Sequence, residues 1–420
     1  MSAMSSNWDR RSVLRAAAGL AALGPLAACG SNNGRSGGGS SGKSIKQYFH
    51  AYGEAGVEDA LKRYAKAYDK AAVNTQWITS ADYESKLFSA LLTDNAPDVF
   101  EFHPQIQLIK SGQVADLSDI IDPVKSDFNP ADIASHTVDG KIYGVRMIDD
   151  PQFFFYRKSV LEKAKIQPPT TLDELIEAAA KLTTGKVKGL FIGNDLHAVI
   201  NPLIWSSGAD TLDAKNQIAY HTEGVKEGIK KMRQLFTSGH LLLDAPTDYW
   251  DPSAIVQGLT PIQFCGMWAM PVMQKALGDD LGIFPFPKVT DSGKQSVVNG
   301  GWSMFVNAKG KNADLAKEYV KWLWIDQKKY QEDFALSYGF HIPPRASIAA
   351  SATKLKTGLP AEGVKLFNDF GHFDNIGWTQ AMITTLEDVF ANCVRKNGDP
   401  EAELSKADTT VNRELKKLFG

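Results

Sequence analysis

The stretch KIYGVRMIDDPQFFFYRKSVLEKAKIQPPTTLDELIEAAAKL, residues 141–182, contains the strongest structural signals in this chain. Its first part predicts two strands, KIYGVRMID and FFFYRK, which are separated by Asp149, Asp150 and a proline. Its last part predicts a helix that begins with a capping box formed by Thr171 and Glu174, followed by an apolar stripe at helical spacing. The chain therefore passes here from strand to strand to helix, with two acidic side chains at the break.

Strands and helices also alternate before this stretch. Three strands are predicted, at SIKQYFHAY, VNTQWI and PDVFEFH. Two helices are predicted between them, at VEDALKRYAKAYDKAA and DYESKLFSALLTDN, and the second has a predicted cap at Asp82. This β-α-β-α-β order is typical of a largely parallel sheet covered by helices. The sequence therefore predicts an α/β fold.

A second α/β unit follows. Strands are predicted at KGLFIG, IQFCGMW, LGIFPF and VNGGWSMFVNA, and a helix at NADLAKEYVKWLW. Two further helices are predicted near residues 376–394 and from Asp399 to Leu418, with Asp399 as the cap. About 375 residues are enough for two lobes, because single cores stop growing beyond about 250 to 300 residues.

The first residues have the layout of an export signal, with paired arginines at Arg10 and Arg11, a short apolar segment over 16–28 and small residues before Cys29. The arginine pair resembles a twin-arginine motif, and LAAC resembles a lipobox, in which the cysteine is lipidated. We therefore expect a signal peptide over 1–28 and a lipidated, flexible Gly/Ser tether over 29–43. This predicts an exported protein, anchored by Cys29 to the outer face of the cytoplasmic membrane.

Composition excludes several classes of function. The formal charge of −2 becomes −4 without residues 1–28, which gives no general attraction for nucleic acid. GGGSSGKS in the tether matches a phosphate-binding loop by letters only, since neither the strand before it nor the helix after it is predicted. Cys265 and Cys393 have no metal-ligand spacing and are expected to be two buried thiols, although pairing is not excluded. We expect no metal, no cofactor and a monomer.

Four blocks of sequence resemble the extracellular solute-binding proteins of ABC importers, in the sugar-binding group similar to maltose-binding protein. They are LLTDNAPDVFEFHPQIQLIKSGQVADLSDI, the stretch 141–182, PIQFCGMWAM and VNGGWSMFVNAKGKNADLAKEYVKWL. The resemblance implies a type II periplasmic-binding-protein-like fold, with two α/β lobes joined by hinge crossovers and the ligand between them. It implies lobe 1 over 44–148 and 299–345, and lobe 2 over 149–298 and 346–420.

The resemblance also implies the ligand-binding residues, because a sugar site needs aromatic faces and paired hydrogen-bonding groups. Each candidate has a structural alternative. Asp150, with Asp149 as its substitute, is expected to accept sugar hydroxyls or to form a solvated turn. Three tryptophans are expected to stack on the sugar or to pack in the core or hinge: Trp268, Trp302 and Trp378. From the first lobe we expect four residues to contact the ligand: Glu54, Glu101, Phe102 and His103. The loop HAYGEAG nevertheless differs from the aromatic-rich loop that is usual in the family. Arg345 is expected either to reach the ligand or to form a structural salt bridge.

The predicted function is that of a receptor that binds a mono- or oligosaccharide and delivers it to the membrane subunits of an ABC permease, without catalysis. Two alternatives remain open at this point. Carboxylates beside tryptophans also suit a polyamine or another cationic solute. A lipid-anchored carbohydrate-active hydrolase would need a pair of carboxylates that flank the scissile bond. Asp149 and Asp150 make a poor pair, because adjacent side chains in an extended segment point to opposite faces. Asp150 and Glu101 could form such a pair.

Overall fold

The computed structural model of the protein describes residues 43–420. The predicted signal peptide, Cys29 and nearly all of the predicted tether lie outside the described residues. The strands are β1 Ser44–His50, β2 Ala72–Ile78, β3 Val99–Phe102, β4 Thr137–Val138, β5 Lys141–Ile142, β6 Val145–Ile148, β7 Pro151–Arg157, β8 Ile262–Gly266, β9 Leu281–Phe284, β10 Val297–Asn299, β11 Trp302–Val306 and β12 Gly371–His372.

The α-helices cover the sheets that these strands form. They are α1 Val57–Lys66, α2 Ser80–Leu91, α3 Ile106–Lys110, α4 Ser118–Ile121, α5 Pro130–Ser135, α6 Lys158–Ala164, α7 Leu172–Leu182, α8 Ile200–Ser206, α9 Glu223–Thr237, α10 Ser253–Val256, α11 Met270–Leu277, α12 Ala313–Lys321, α13 Lys328–Leu336, α14 Ala346–Ala349, α15 Gly358–Phe370, α16 Gln380–Phe390 and α17 Pro400–Phe419. Within residues 43–420, none of the helices combines the length and the hydropathy needed to cross a bilayer.

The first sheet has the strand order β2-β1-β3-β11-β6. β1 is parallel to both β2 and β3, as the β-α-β-α-β pattern predicts. β11, which comes from a distant part of the chain, is antiparallel to β3 and β6. The central strand β3 is buried along its whole length.

The second sheet has the order β12-β10-β7-β8, and β9 also pairs with β7. β7 is the FFFYRK strand, and its neighbours β8, β9 and β10 are all antiparallel to it. Phe153, Phe154 and Phe155 are fully buried in consecutive positions, because helices cover both faces of the sheet.

The chain passes between the two sheets twice where strands follow one another closely. β6 ends at Ile148 and β7 begins at Pro151; β10 ends at Asn299 and β11 begins at Trp302. Gly301 lies between β10 and β11 with a φ of +86°, and a Cβ atom there would come within 2.2 Å of the carbonyl oxygen of Ile148. Only glycine therefore fits this close approach of the two crossings. The lobe bounds given above stay a prediction.

Most local predictions are confirmed. Thr171 and Glu174 form the capping box of α7, and the Asp399 side chain caps α17. The predicted cap at Asp82 is wrong: Thr79 precedes α2, and Asp82 lies in the first turn, where it accepts a hydrogen bond from the Thr79 hydroxyl. The predicted strand KGLFIG is reduced to isolated bridges.

The two cysteines among the described residues, Cys265 and Cys393, are both buried and free, as expected. Burial raises the pKa of the Cys393 thiol to about 11, which keeps the thiol protonated. Neither cysteine has the electropositive, exposed surroundings of a reactive thiol.

Candidate functional site

Three ring side chains meet at one edge of the first sheet. His50 ends β1, His103 follows β3 and Trp302 begins β11. The Trp302 ring stacks against both imidazoles, with ring centroids 4.2 Å from His50 and 4.4 Å from His103. These contacts take up ring surface that a sugar would need, so they favour the hinge-packing interpretation of Trp302.

Glu101 is fully buried, whereas the sequence predicts that it faces the cleft. Its Oε1 accepts hydrogen bonds from the backbone N–H of His50 at 2.5 Å and from the His50 ring at 2.6 Å. Its Oε2 accepts one from the hydroxyl of Tyr52. Burial and the Glu101 carboxylate raise the pKa of Tyr52. Glu101 therefore positions these two rings and has no surface for a ligand.

Asp150 lies at the first crossing and pairs with His341, a residue that the sequence analysis missed. The other ring nitrogen of His341 is 3.5 Å from Oε1 of Glu54. His341 and Asp150 are both at least nine-tenths buried. Burial raises the pKa of the Glu54 carboxyl. The two predicted acidic residues are thus brought together around one buried imidazole.

Asp149 is also buried and ties the two crossings together. It accepts hydrogen bonds from Nε of Arg146 at 2.9 Å and from Nδ2 of Asn299 at 2.8 Å. Arg146 in turn donates to the carbonyl oxygen of Gly300. Asp149 is therefore a structural residue of the crossing, and the solvated-turn interpretation is wrong for it.

A cavity of about 320 Å³ lies between the two sheets, at the lower end of the range for small-molecule sites. Both sides contribute polar and aromatic side chains. From the side of the first sheet come Tyr83, Phe102, His103, Gln105 and Trp302; from the side of the second come Gln152, Asn299, Asp374, Asn375 and Trp378. The structure thus brings together four of the predicted residues: Phe102, His103, Trp302 and Trp378.

Three titratable side chains that line this cavity have shifted pKa values: His103, Asp374 and Glu84. His103 keeps contact with solvent, but protein atoms surround it on most sides, and this loss of water lowers the pKa of its imidazole to about 4. Asp374 is also exposed at the surface, yet the protein atoms packed around it raise the pKa of its carboxyl group. Burial and the nearby Glu387 raise the pKa of Glu84, which also lines the cavity. The site therefore combines an imidazole that is neutral at pH 7 with two carboxyl groups whose pKa values are raised.

Six of the ten predicted residues do not line this cavity: besides Glu54, Glu101, Asp149 and Asp150, these are Arg345 and Trp268. Arg345 is buried and donates to Asp127 at 2.9 Å and to the carbonyl oxygen of Ile325 at 2.8 Å, which is the structural salt bridge of the two alternatives. The ring of Trp268 packs against Gly266, and its N–H donates to the carbonyl oxygen of Trp250 at 3.0 Å. Gly266 pairs with Gln152, so Trp268 lies near a cavity residue without being part of the lining.

Three polar residues of the cavity lining were not predicted from the sequence: Gln105, Asn299 and Asp374. His341, the partner of Asp150 outside this lining, was not predicted either. Asn299 ends β10 immediately before two glycines, and Asp374 lies four residues before Trp378. A polar residue at a strand end beside a glycine pair was the signal available for Asn299. His341 and Gln105 had no comparable signal, because their partners are distant in sequence.

Among residues 43–420, one group has the spacing of a metal site. Asp195, His197 and Asp248 place ligand atoms within 4.8 Å of one another. Asp248 Oδ1 accepts hydrogen bonds from the backbone N–H groups of Asn194 and Tyr249, and His197 pairs with Asp195. Mutual hydrogen bonding explains this group without an ion.

Residues 59–361 match the family described as bacterial extracellular solute-binding protein. The chain belongs to this family. Its members bind solutes outside the cytoplasm and are not enzymes, so this solute-binding protein is exported.

Individual relatives are more distant. The chain is 27% identical over 258 residues to an uncharacterized ABC transporter extracellular-binding protein, PH1039, of Pyrococcus horikoshii; the match covers 55% of this chain and 58% of the relative. It is 28% identical over 294 residues to the diacetylchitobiose-binding protein DasA of Streptomyces coelicolor, covering 66% and 67%. The chain thus spans between one half and about two thirds of these relatives.

The GacH receptor of Streptomyces glaucescens, solved unliganded and with acarbose, shares the fold. Its TM-score is 0.74 at 22% identity, and the match covers 89% of this chain and 98% of the receptor. The solute-binding protein therefore has the predicted two-lobe, type II periplasmic-binding-protein-like fold.

Proposed function

We propose that this protein is the receptor of an ABC importer and that it binds a carbohydrate in the cavity between its two sheets. DasA and GacH support this proposal, since the name of one specifies a diacetylchitobiose ligand and the other was solved with acarbose. Membership of the solute-binding family supports delivery of the ligand to a membrane permease.

The observation that carries the proposal is the set of unpaired polar groups around the cavity. Trp378 has a buried ring N–H without a hydrogen-bond partner, and Gln105 and Asn299 each have a buried amide oxygen without one, among the described residues. Buried polar groups are almost always paired, so these three call for an external partner. A sugar hydroxyl both donates and accepts, and the C–H face of a sugar ring packs on aromatic rings.

The site residues follow from this arrangement. The sugar is contacted directly by five side chains: Phe102, His103, Trp378, Gln105 and Asn299. Glu54, Asp150 and Trp302 act at the edge of the site, next to the crossings. Asp149, Glu101 and Arg345 hold other side chains in place.

We also propose that Cys29 carries the lipid anchor. The paired arginines, the apolar segment and the LAAC sequence support it, and so does the export of the family. A tethered monomer on the outer face of the membrane can capture a solute and remain close to its permease.

Calorimetric titration with a panel of mono- and oligosaccharides tests the carbohydrate proposal. We expect one-to-one, saturable binding of at least one sugar, and chromatography of the mixture should recover that sugar unchanged. Turnover of the sugar would instead support a hydrolase, and the absence of binding across the panel would contradict the proposal.

A further inference from the structure

Asp374 differs from the other carboxylates around the crossings in having no cationic partner. Asp149 pairs with Arg146, and Asp150 pairs with His341. Asp374 accepts one hydrogen bond, from Nδ2 of Asn201 at 2.8 Å, and no Lys, Arg or His nitrogen of the described residues lies within 4.0 Å of it. A carboxylate has about four acceptor positions, and Asp374 is exposed, so its remaining positions are open to water or to a ligand.

The cavity beside Asp374 supplies further acceptors. Asn299 donates its amide N–H to Asp149, which leaves its Oδ1 as the buried, unpartnered end. Oε1 of Gln105 is likewise buried without a partner among the described residues. Both side chains are 6% exposed and line the same cavity as Asp374. An unsatisfied buried acceptor is costly, so a ligand that donates hydrogen bonds gains from filling these positions.

The protein balances this negative charge only in part: His372 and Arg146 lie close enough to Asp374 to favour its charged form, but their ion pairs are with Asp210 and Asp149. Arg146 is the basic residue with a permanent charge among the lining residues, and its guanidinium is already bound to Asp149 and to the carbonyl oxygen of Gly300. Glu84 adds a second carboxylate to the lining. Trp378 contributes an aromatic ring, which also favours a cation.

We propose that the solute is an amino sugar and that the carboxylate of Asp374 binds its protonated amino group. This inference rests on the proposed carbohydrate-receptor function. An ammonium group offers three donors and one positive charge, whereas a hydroxyl offers one donor and no charge. Charge-assisted hydrogen bonds are about twice as strong as neutral ones, so Asp374 discriminates between an amino sugar and its neutral counterpart.

The test compares sugars that differ at one group. The purified protein is titrated with glucosamine, galactosamine and their β-1,4- and α-1,4-linked dimers, and with the matching glucose, galactose, N-acetyl and neutral dimer forms. For at least one pair, we expect the amino sugar to have a Kd lower by about tenfold or more. Asp374→Asn should abolish this preference by raising the Kd of the amino sugar to that of its neutral counterpart in the same variant, with the unfolding temperature unchanged.

Asp369→Asn is the matched control, since Asp369 lies on α15 outside this cavity and pairs with Lys365. It should keep the full preference for the amino sugar. The inference is overturned if neutral sugars bind as tightly as their amino counterparts, a result that leaves the carbohydrate receptor standing. It is also overturned if Asp374→Asn retains the preference.

Failure of the proposed function gives a different result. If no sugar of either kind binds, both proposals fail. Spermidine is included for this reason: its binding in the absence of any sugar binding would replace the carbohydrate receptor by a polyamine receptor.

Discussion

His341 and Asp150 form a buried ion pair although 191 residues separate them in the chain. Asp150 lies at the first crossing between the sheets, and Glu54 lies on the other side of the imidazole. Burial by itself would lower the pKa of His341, but the two carboxylates outweigh burial and raise it above its ordinary value. This part of the fold is therefore sensitive to pH.

Replacing His341 by Gln should lower the free energy of unfolding by about 3 kcal/mol below pH 6.5, because it leaves a buried carboxylate unpaired. A raised histidine pKa gives a stabilisation that is complete below the unfolded-state pKa and is lost as the pH rises through the folded-state pKa. The difference between wild type and H341Q should thus shrink at alkaline pH. Guanidinium denaturation from pH 5.5 to 9 measures it.

His197→Gln is the control for this experiment. His197 pairs with Asp195, and burial is again outweighed by that carboxylate, so its pKa is raised too, but the two side chains are 38% and 54% exposed. An exposed pair contributes at most about 1 kcal/mol, so this variant should change stability little at any pH. A difference for H341Q that is independent of pH would contradict the assignment.

Trp378→Phe should weaken sugar binding without unfolding the protein. The smaller ring keeps the edge contact that Trp378 makes with Tyr220 at 5.7 Å, but it loses the unpaired N–H and part of the aromatic face. We expect a loss of about 1 kcal/mol, or roughly fivefold in Kd. Trp322→Phe is the control, since Trp322 packs between Tyr68, Tyr319 and Tyr330 and does not line the cavity. Equal affinities of the two variants would remove Trp378 from the site.

Gly301→Ala should lower the free energy of unfolding by more than the backbone cost of placing an alanine at a positive φ. Gly112 has a φ of +63° and open space around its Cβ position, so Gly112→Ala measures the backbone cost, about 1 kcal/mol. At Gly301 the added methyl group would also meet the carbonyl oxygen of Ile148, and we expect about 3 kcal/mol or more. Equal losses in denaturant titrations would show that the two crossings are not tightly packed at this point.

Cys29→Ser should release the protein from the membrane fraction of a bacterial host that lipidates its exported proteins. The reason is that a serine cannot receive the thioether-linked lipid. Cys393→Ala, which alters a buried thiol elsewhere, should leave the protein in the membrane fraction. Fractionation and immunoblotting distinguish the two outcomes, and a membrane-bound C29S protein would contradict lipidation at this residue.

The sequence predicted the parts of the fold that depend on neighbouring residues. The capping box of α7 is specified within four residues, so Thr171 and Glu174 identified it correctly. KGLFIG has strand composition, but a strand needs partners, and Leu190 and Phe191 find only isolated bridges to Leu241 and Gln263. Strand pairing is a long-range property that composition does not determine.

The candidate site shows the same limit. Phe102 and Trp302 could be predicted because they lie at strand ends in segments that resemble the solute-binding family. Whether Glu101 faces the cavity could not, since its orientation depends on His50 and Tyr52, which lie about 50 residues away. Asp374 was missed because its significance comes from its place beside Gln105 and Asn299, which only the assembled cavity reveals.

The most direct test of the central claim is a crystal structure of the protein with the tightest-binding sugar of the titration panel. We expect the sugar to lie in the cavity between the sheets, against Trp378 and within hydrogen-bond distance of Gln105 and Asn299. A second cavity beside Trp205 and Lys288 offers a clear alternative location. A sugar bound there, or at any position that leaves Trp378, Gln105 and Asn299 untouched, would contradict the account.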